Sequence, residues 1–424
     1  MMTSIMKKIS HTSSSHNITI QGTKRCRQKQ RGVTLIELMI AITISSIIMI
    51  GIGTVYTSSK RSFKLQEEFS RLQENGRFAI NYITRFVRAA GYSGCSAALH
   101  NNYDSILNND TDNPWNFNTG LEGYEYVGTE PNTAVTLTLS PTYVTDSSTN
   151  RDKWKATASD ISLPSSAALL GSTGPVPDTD ILVSRTADGS GVEVAADNGG
   201  GQVFISDAEN ITCPDGSTGY SGICTGDILV VSNCQKAAVF QATNVQVTGK
   251  GDGLVNVVHS KGTTLVGGVV APPGNSQPDL NFDLQEGDEV MKVSTKVFFV
   301  GQGTNGPALF MKQGVGTAVE LVEGVESMQV LYGEDKDSPT DNIPDRYVPA
   351  NKVDNFADVV AVRVDILLRS VNELPWRTAP SPAKTYLLGG TTAATGVTIT
   401  APSDKRIRKV MTTTIKLRNR AFSN

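Results

Sequence analysis

The feature that most constrains this chain is an apolar run from Val33 to Val55 that contains one charged residue, Glu37. As an α-helix this run is roughly 35 Å long, enough to cross the hydrocarbon core of a bilayer. A carboxylate at the centre of a membrane-spanning helix costs roughly 2.5–3.5 kcal/mol. Glu37 lies only about one helical turn inside the span, where the cost is smaller, but it still needs a cationic partner. The sequence therefore predicts a membrane span that carries a paired carboxylate.

The leader before this run is basic. Residues 1–32 hold seven Lys and Arg and no acidic residue, so their removal leaves 31 Lys and Arg against 41 Asp and Glu, a formal charge of −10. The positive-inside rule places the leader in the cytoplasm and exports the chain after Val55. No small-x-small cleavage site follows the run, so a conventional signal peptide fits poorly.

Helical periodicity continues beyond the apolar run as far as Gly91, and no proline interrupts it. The simplest structure is one helix of about 58 residues whose second half packs a single stripe against a globular domain. Gly51 and Gly53 mark a place for bending or local melting, or are simply the glycines that membrane helices often contain. The predicted stripe is Phe69, Leu72, Gly76, Ala79, Ile80, Ile83, Val87 and Ala90.

After Gly91 the composition changes to Asn, Thr, Ser, Gly and Asp, and short β-like runs alternate with turn clusters. Period-two alternation predicts a half-buried strand over 360–369 and another strand over 410–420. Other strands are predicted over 134–139, 180–184, 227–232, 239–243 and 290–300. Long surface loops are predicted over 100–125, 143–153, 186–201 and 336–356. The fold class is α+β, a long N-terminal helix packed on a β-rich C-terminal domain.

Cysteine usage agrees with export, because an even set remains once Cys26 in the leader is set aside. The set is Cys95, Cys213, Cys224 and Cys234. Of three possible pairings we favour Cys213–Cys224, which would close a Gly/Ser-rich loop, together with Cys95–Cys234. Free buried thiols are the alternative.

The string Arg31-Gly32-Val33-Thr34-Leu35-Ile36-Glu37 resembles the cleavage and assembly motif of type IV prepilins and type II secretion pseudopilins. The resemblance implies that prepilin peptidase cuts after Gly32 and methylates the new amine of Val33. It also implies that Glu37 pairs with the N-terminus of a neighbouring subunit. Val33 stands where the family usually has Phe or Met, a departure that bears on methylation rather than on cleavage. A plain signal anchor with a stray carboxylate is the alternative.

This resemblance implies four segments. A cytoplasmic leader, 1–32, is cleaved; 33–56 is the transmembrane and assembly helix; 57–91 is the amphipathic half of the helix; and 92–424 is the β-rich domain with long loops. The protein would lie in the inner membrane of a Gram-negative bacterium with its C-terminal domain in the periplasm. It would then move to the pilus fibre at the cell surface.

Three further strings resemble the PilW-type minor pilins, namely GDILVVSNC at 226–234, LVEGVESMQVLYG at 321–333 and TIKLRNR at 414–420. The resemblance implies a structural subunit that helps prime assembly of a type IV pilus, forms part of its base or tip complex, and supports twitching motility and adhesion. Its partners would be prepilin peptidase, other minor pilins and the major pilin, the inner-membrane assembly platform and an adhesin at the tip. A J-type pseudopilin of type II secretion and a membrane-anchored binding protein are the alternatives.

Catalytic chemistry is not indicated. The G-x-G-x-x-G string at 301–306 is followed by Pro307 and an apolar run rather than by a helix, so it predicts a hairpin and not a dinucleotide site. No nucleophile elbow, zinc-protease motif or Walker lysine motif is present. Neither His100 nor His259 lies at ligand spacing from a cysteine pair. We expect neither an enzyme nor a cofactor.

Two charged clusters have competing interpretations. The first is an acidic loop that could hold Ca²⁺ but lacks the glycine and terminal Glu of an EF-hand, so a solvated loop is preferred. The second is a basic C-terminal cluster that could bind DNA or protect an edge strand from aggregation. Edge protection is preferred because the body of the protein is acidic. The acidic set is Asp335, Asp337, Asp341 and Asp345, and the basic set is Lys405, Arg406, Arg408, Lys409, Lys416, Arg418 and Arg420.

Overall fold

The computed structural model describes residues 32–94, 103–111, 114–138, 147–159, 161–164, 174–197, 201–206, 209–233, 235–248, 253–281, 283–380 and 382–419. The chain divides into two compact units, Met1–Lys60 and Arg61–Asn424. A long N-terminal helix and a β-rich remainder make up the described residues, which confirms the predicted α+β class.

Helix α1 runs from Leu35 to Ala89 and is long and apolar enough, by length and composition, to cross a membrane. It stops where predicted because Gly91 adopts a left-handed conformation (φ 76°) that a residue with a Cβ rarely takes. The Gly91 amide then donates a hydrogen bond to the Arg185 carbonyl at 2.8 Å. The end of α1 is thereby fixed to the β-rich region.

The buried stripe of α1 differs from the predicted one at its first position, and it also includes Phe86, while Ile80 is only partly buried. Phe69 is 40 % exposed, so its prediction as a core residue is wrong, and Glu68 is buried instead. The reason is a distant partner, because Asn372 Nδ2 donates a hydrogen bond to Glu68 Oε1 at 3.1 Å. The buried residues of α1 are Glu68, Leu72, Gly76, Ala79, Ile83, Phe86 and Val87.

The main sheet has 13 strands, eight of them in the order β1-β11-β10-β16-β6-β2-β4-β5, with β7, β12, β13, β17 and β18 attached. Their bounds are β1 Tyr103–Ser105, β2 Leu121–Tyr126, β4 Trp154–Ala156, β5 Ile161–Ser162, β6 Ile181–Asp197, β7 Gln202–Ile205, β10 Ile228–Asn233, β11 Lys236–Gln241, β12 Asn244–Val247, β13 Val255–Val258, β16 Glu289–Gly303, β17 Gly306–Gln313 and β18 Val319–Glu323.

A second sheet of four strands has the order β20-β19-β21-β24, and a small sheet has the order β22-β23-β3. Two further pairs are β8 with β9 and β14 with β15. The bounds are β3 Ala134–Thr136, β8 Asn210–Thr212, β9 Thr218–Tyr220, β14 Gly262–Val266, β15 Val269–Asn275, β19 Val325–Glu334, β20 Arg346–Val348, β21 Val359–Arg369, β22 Thr385–Leu388, β23 Val397–Thr400 and β24 Arg408–Lys416. Helix α2 is Ser148–Arg151, and 3₁₀ turns lie at Ala350–Lys352 and Phe356–Asp358.

One predicted loop, 186–201, is wrong, because β6 continues through it to Asp197. Asp188 pairs with Lys292 and Val192 pairs with Val290, so three residues of β6 face one residue of β16. The turn-like Gly-Ser-Gly sequence is thus the extra length of a β-bulge rather than a loop. Strands β1 and β20 and helix α2 likewise lie inside other segments predicted as loops, and β2 overlaps the end of the predicted loop 100–125.

Strand β21 was predicted to be half-buried, and this is wrong because both of its faces are covered. Val362, Val364 and Ile366 belong to the main core together with the second half of α1. Leu367 points the other way and packs with residues of the small sheet, including Leu388. The small sheet therefore closes the face that sequence periodicity assigned to solvent.

The G-x-G-x-x-G string forms the predicted hairpin. Strand β16 ends at Gly303, β17 begins at Gly306, and these two residues pair with each other. No helix opens after the string, so the geometry of a dinucleotide-binding turn is missing here.

Candidate assembly surface

The carboxylate of Glu37 lies in the first turn of α1 and forms a capping box with Thr34. The Thr34 amide and the Thr34 hydroxyl each donate to Glu37 Oε2 at 3.0 Å, and the Glu37 amide donates to Thr34 Oγ1 at 3.3 Å. The box satisfies amides that a helix start leaves without partners, and it holds a negative charge at the positive end of the helix dipole. Glu37 thus has a local partner within its own chain.

Sequence reasoning missed Thr34, although the signal was present. A Ser or Thr followed three residues later by Glu, just before an apolar run, is the sequence signature of a capping box. Thr34 and Glu37 have this spacing. Gly32 and Val33 directly precede the box and are exposed. Cleavage between them and methylation of Val33 stay predictions.

The apolar part of α1 leaves its side chains uncovered. The large apolar side chains from Val33 to Val55 are 52–76 % exposed. A surface of this extent and continuity marks a site of contact with lipid or with another protein. The helix is apolar on all sides here, which is expected of a segment that is surrounded rather than packed along one stripe.

The second half of α1 lies close against β21 and β24. A Cβ added at Gly76 would lie 2.0 Å from Met411 Sδ and 3.1 Å from Leu368 Cδ1. Gly76 is therefore the point at which the absence of a side chain lets the helix approach the second sheet. Further along, the Phe86 ring lies 6.0 Å from the Phe298 ring.

A buried ion cluster joins the segment 321–333 to basic residues near the C-terminus. Arg408 pairs with Glu326 at 2.6 Å and with Asp404 at 2.7 Å, and Arg369 lies 3.4 Å from Glu326. Burial acts to lower the pKa of Arg408, but hydrogen bonds to Asp404 and Glu326 outweigh it, so the pKa is raised. Arg408 therefore stays charged and joins β24 to β19.

The interpretation of the basic cluster as edge protection is therefore partly wrong. Strand β24 is the last strand of the second sheet, but Arg408 is buried against carboxylates and Arg406 donates to the Ser370 carbonyl at 2.9 Å. Lys409 Nζ lies 5.8 Å from the centre of the Phe69 ring. Lys416 and Arg418 are exposed, and Arg420 lies outside the described residues.

Cys213 and Cys224 form a disulfide with a Cα–Cα distance of 5.9 Å, the pairing favoured from the sequence. The bridge closes a loop that carries β9 and Asp215. Cys95 and Cys234 lie outside the described residues, as does His100. His259 is buried against the Phe240 ring, at 4.8 Å between ring centres.

The acidic loop uses its carboxylates to hold its own backbone. Asp335 accepts hydrogen bonds from the amides of Asp337 (3.2 Å) and Asn342 (2.6 Å), and Asp345 accepts one from the amide of Lys336 (2.6 Å). Repulsion from Asp345 raises the pKa of Asp337. Asp341 accepts from the Ile343 amide at 2.8 Å. Within the described ranges, no group of three or more His, Cys, Asp or Glu is arranged to hold a metal ion.

The family model of the type IV pilus-assembly protein W, PilW, matches residues 297–419, and that of the prokaryotic N-terminal methylation motif matches residues 27–53. The chain carries the signatures of a type IV pilus-related pilin. The predicted resemblance to PilW-type minor pilins is thus confirmed.

The PilW match extends from β16 to just beyond β24 and includes Glu326, Arg408 and the residues that face Gly76. The methylation-motif match includes Gly32, Val33 and the Thr34–Glu37 box. A pilin of this type is expected at the membrane and in contact with other pilus components. No curated protein and no solved structure matches the chain.

Proposed function

We propose that this protein is a minor pilin, a structural subunit that helps prime assembly of a type IV pilus and forms part of its base or tip complex. The observation that carries the proposal is the combination of the PilW match over 297–419 with an exposed apolar helix that begins at a methylation motif. In this role the subunit has a cytoplasmic leader 1–32, a membrane and assembly helix 33–56, an amphipathic half 57–91 and a periplasmic domain 92–424.

Processing would create the positively charged amine with which a Glu37 carboxylate can pair. Cleavage after Gly32 by prepilin peptidase frees an amine at Val33, next to the Thr34–Glu37 box. The box keeps the carboxylate hydrogen-bonded within its own chain while the subunit is stored in lipid, where an unpaired charge is costly. During assembly the carboxylate neutralises the amine of a neighbouring pilin, which favours the correct axial position of one helix against the next.

The first test is the N-terminal mass of protein recovered from membranes, with and without Gly32→Val. The expected result is a mature chain that starts at Val33 and carries one additional methyl group, and its loss in the variant. An intact Met1 leader in the parent protein would identify a plain signal anchor. The same mass shows whether Val33 is methylated, although the family usually has Phe or Met at this position.

The second test compares Glu37→Gln with Glu37→Ala. Gln keeps an oxygen that can accept from Thr34 and loses the charge, whereas Ala loses both. Both variants are expected to be cleaved normally and to be depleted from sheared pili, because assembly depends on the charge. Normal incorporation of Glu37→Gln would show that the capping box, and not the charge, is what assembly requires.

The role in motility and adhesion rests on the same proposal, with other minor pilins, the major pilin, the inner-membrane assembly platform and a tip adhesin as partners. The Leu-Val-Glu-Gly-Val string also favours a J-type pseudopilin as a second candidate. A deletion strain separates the two. Loss of surface pili and twitching with normal export of folded enzymes supports the pilus role, and the reverse result supports the secretion role.

A further inference from the structure

Strands β14 and β15 form a hairpin whose outer side is apolar and uncovered. They are joined by Gly267 and Gly268, whose positive φ values of 56° and 83° suit a tight two-residue turn. Leu265 and Val270 pair across the hairpin, and they are 62 % and 56 % exposed. No charged residue occurs in 262–273, although the chain after residue 32 is acidic. The hairpin therefore presents an uncharged, apolar side to solvent.

The inner side of the hairpin is held by hydrogen bonds to the end of β11 and the residues that follow it. The Gln241 amide donates to Asn275 Oδ1 at 2.8 Å, and Asn275 Nδ2 donates to the Gln241 carbonyl at 2.9 Å. Thr264 Oγ1 donates to the Thr243 carbonyl at 3.0 Å. These bonds fix the hairpin in one position, so its exposed side has a defined orientation.

The two outer edges of the hairpin differ in whether another strand can be added to them. On the β15 side, Leu107 forms an antiparallel bridge with Asn275, and Asn108 Nδ2 donates to the Pro273 carbonyl at 3.0 Å. Pro272 and Pro273 also have no amide hydrogen to offer a new strand. Strand β14 contains no proline, and over the described residues it pairs with β15 alone. The open edge of the hairpin is therefore β14.

This edge lacks the protection that other edge strands of the protein carry. Charged side chains on an edge strand discourage pairing with a second chain. The edge strand β18 carries Glu320 and Glu323, and the edge strand β24 carries Lys416. Strand β14 consists of Gly, Thr, Leu and Val only. An uncharged edge of this kind favours the addition of a strand from another molecule.

The alternation of an antiparallel pair determines which backbone groups of β14 point outward. Val266 and Val269 flank the two-residue turn, so they exchange hydrogen bonds with each other. The amide and the carbonyl of Leu265 then point away from β15, and those of Thr263, two residues earlier, do the same. The backbone of β14 can therefore form a second ladder along its outer edge.

We propose that β14 pairs in antiparallel orientation with β14 of a second copy of this chain, so that two hairpins form one four-stranded sheet. When the two strands overlap fully, Thr263 of each copy lies opposite the partner's Leu265, and the outward backbone groups meet. A two-fold axis relates the copies, so every contact is made twice. The inference goes beyond the proposed function and does not depend on it, because the hairpin lies wholly in the unit Arg61–Asn424.

Charge complementarity indicates a second copy rather than a strand of an unrelated protein. Lys261 and Gly267 flank β14 at its two ends, so full antiparallel overlap places Lys261 opposite the partner's Gly267. Asp215 lies beside this glycine, since a Cβ added at Gly267 would be 3.6 Å from Asp215 Cβ. Hydrogen bonds from Ser217 lower the pKa of Asp215, so its carboxylate is ionised.

These two charges are too far apart to pair within one chain. Lys261 and Gly267 are six residues apart along an extended strand, which corresponds to roughly 20 Å. Both Lys261 and Asp215 are exposed. A second copy therefore brings opposite charges together at both ends of the shared ladder, whereas an unrelated strand would explain the open edge alone.

The first test is photo-crosslinking of the purified full-length chain in excess detergent, with two differently tagged copies mixed. The photoreactive residue p-benzoylphenylalanine replaces Leu265, or replaces Val319 as a control. Val319 is 54 % exposed on the edge strand β18. Position 265 is expected to give a product of twice the chain mass that carries both tags, and position 319 is not. Absence of that product at position 265, or equal yields at the two positions, overturns the proposal.

The second test exchanges the charges, with the crosslinker kept at position 265. Lys261→Asp alone brings two acidic groups together at each end of the ladder, and Asp215→Lys alone brings two basic groups together. Each variant by itself is expected to crosslink about tenfold less than the parent at low salt, because opposite charges become like charges at two places. A mixture of the two variants restores both attractive contacts, so the mixed product should return to the parent yield. Restoration also shows that both variants are folded.

The third test adds the missing protection to the edge. In Thr263→Lys, Leu265→Lys, tagged copies are compared by co-purification, because the crosslinking position is now occupied. Like charges then lie opposite each other along the ladder, and association should be lost. The matched variant Val315→Lys, Val319→Lys adds the same charge at exposed positions elsewhere and should associate like the parent. Unchanged association of the first variant, or a charge-exchanged mixture that fails to recover, excludes β14 as the contact.

Discussion

A buried pair of carboxyl groups connects the main sheet to the second sheet. Asp180 accepts hydrogen bonds from the Tyr126 amide at 3.2 Å and from the Val330 amide at 2.8 Å, and it shares a hydrogen bond with Glu125. Burial raises the pKa of Asp180 to about 7. Burial and then the charge of Asp180 raise the pKa of Glu125 well above its usual range. The pair therefore retains a proton where separate carboxyl groups would have lost theirs.

This pair predicts a pH dependence with a definite sign. Because the folded pKa values lie above the unfolded ones, the folded state binds more protons, and its stability falls as the pH rises from about 4 through about 7. Glu125→Gln keeps a hydrogen-bonding group and removes one titrating group, so the decline should be smaller. Urea unfolding of both proteins at pH 5 and pH 8 measures this, and equal pH slopes would contradict it.

Arg408 is a residue whose role could not be predicted from the sequence. Its two carboxylate partners come from β19 and from the loop before β24, and no periodicity shows that Glu326 is buried beside it. Without Arg408 the buried carboxylates of Glu326 and Asp404 lose their main cationic partner, so Arg408→Ala is expected to lower the free energy of unfolding by about 3–5 kcal/mol. Lys416→Ala, exposed on the same strand, should change it by less than about 0.5 kcal/mol. Denaturant unfolding compares the two, and a similar effect of both would contradict the role of the cluster.

At the scale of elements, α1 was predictable and the exact face that it buries was not. The helix is defined by its apolar spacing, by its lack of proline and by Gly91 at its end, and all three signals are local. Glu68 is buried in place of Phe69 because it accepts a hydrogen bond from Asn372. Asn372 lies far away in sequence, so no local pattern predicts this burial. The bulge in β6 was not predicted because a local signal was misleading: Gly-Ser-Gly is typical of a turn, yet the strand continues through it.

The close approach of α1 to the second sheet gives a prediction for Gly76. Ala adds one methyl group against the flexible end of Met411, which can move, whereas Leu would push the helix away from Leu368. Gly76→Leu is expected to destabilise the fold by about 1–3 kcal/mol, and Gly76→Ala by much less. Gly51→Ala is the control, because a Cβ there meets nothing within 4 Å. Thermal unfolding in detergent measures all three, and tolerance of Leu at position 76 would contradict the proposed contact.

At the scale of the whole molecule, the residues proposed to serve assembly are separate from those that hold the fold. Glu37 belongs to the unit Met1–Lys60 and Arg408 to the unit Arg61–Asn424, and they lie in different family matches. Local motif spacing alone leads to the assembly role of Glu37, which stays a prediction. The second set required the structure, because its partners are distant in sequence.

This separation predicts that the two sets are energetically independent. Glu37→Gln should leave the free energy of unfolding of the β-rich unit unchanged while it removes the subunit from pili. In the double variant Glu37→Gln, Arg408→Ala, the two changes in unfolding free energy should add to within about 0.5 kcal/mol, as expected for sites that share no partner. Denaturant unfolding in one detergent tests this. A loss of unfolding free energy in Glu37→Gln alone would mean that this carboxylate also stabilises the fold, so that depletion from pili could reflect instability instead of a lost charge pair. A coupling well above about 0.5 kcal/mol would mean that the two sites are not independent.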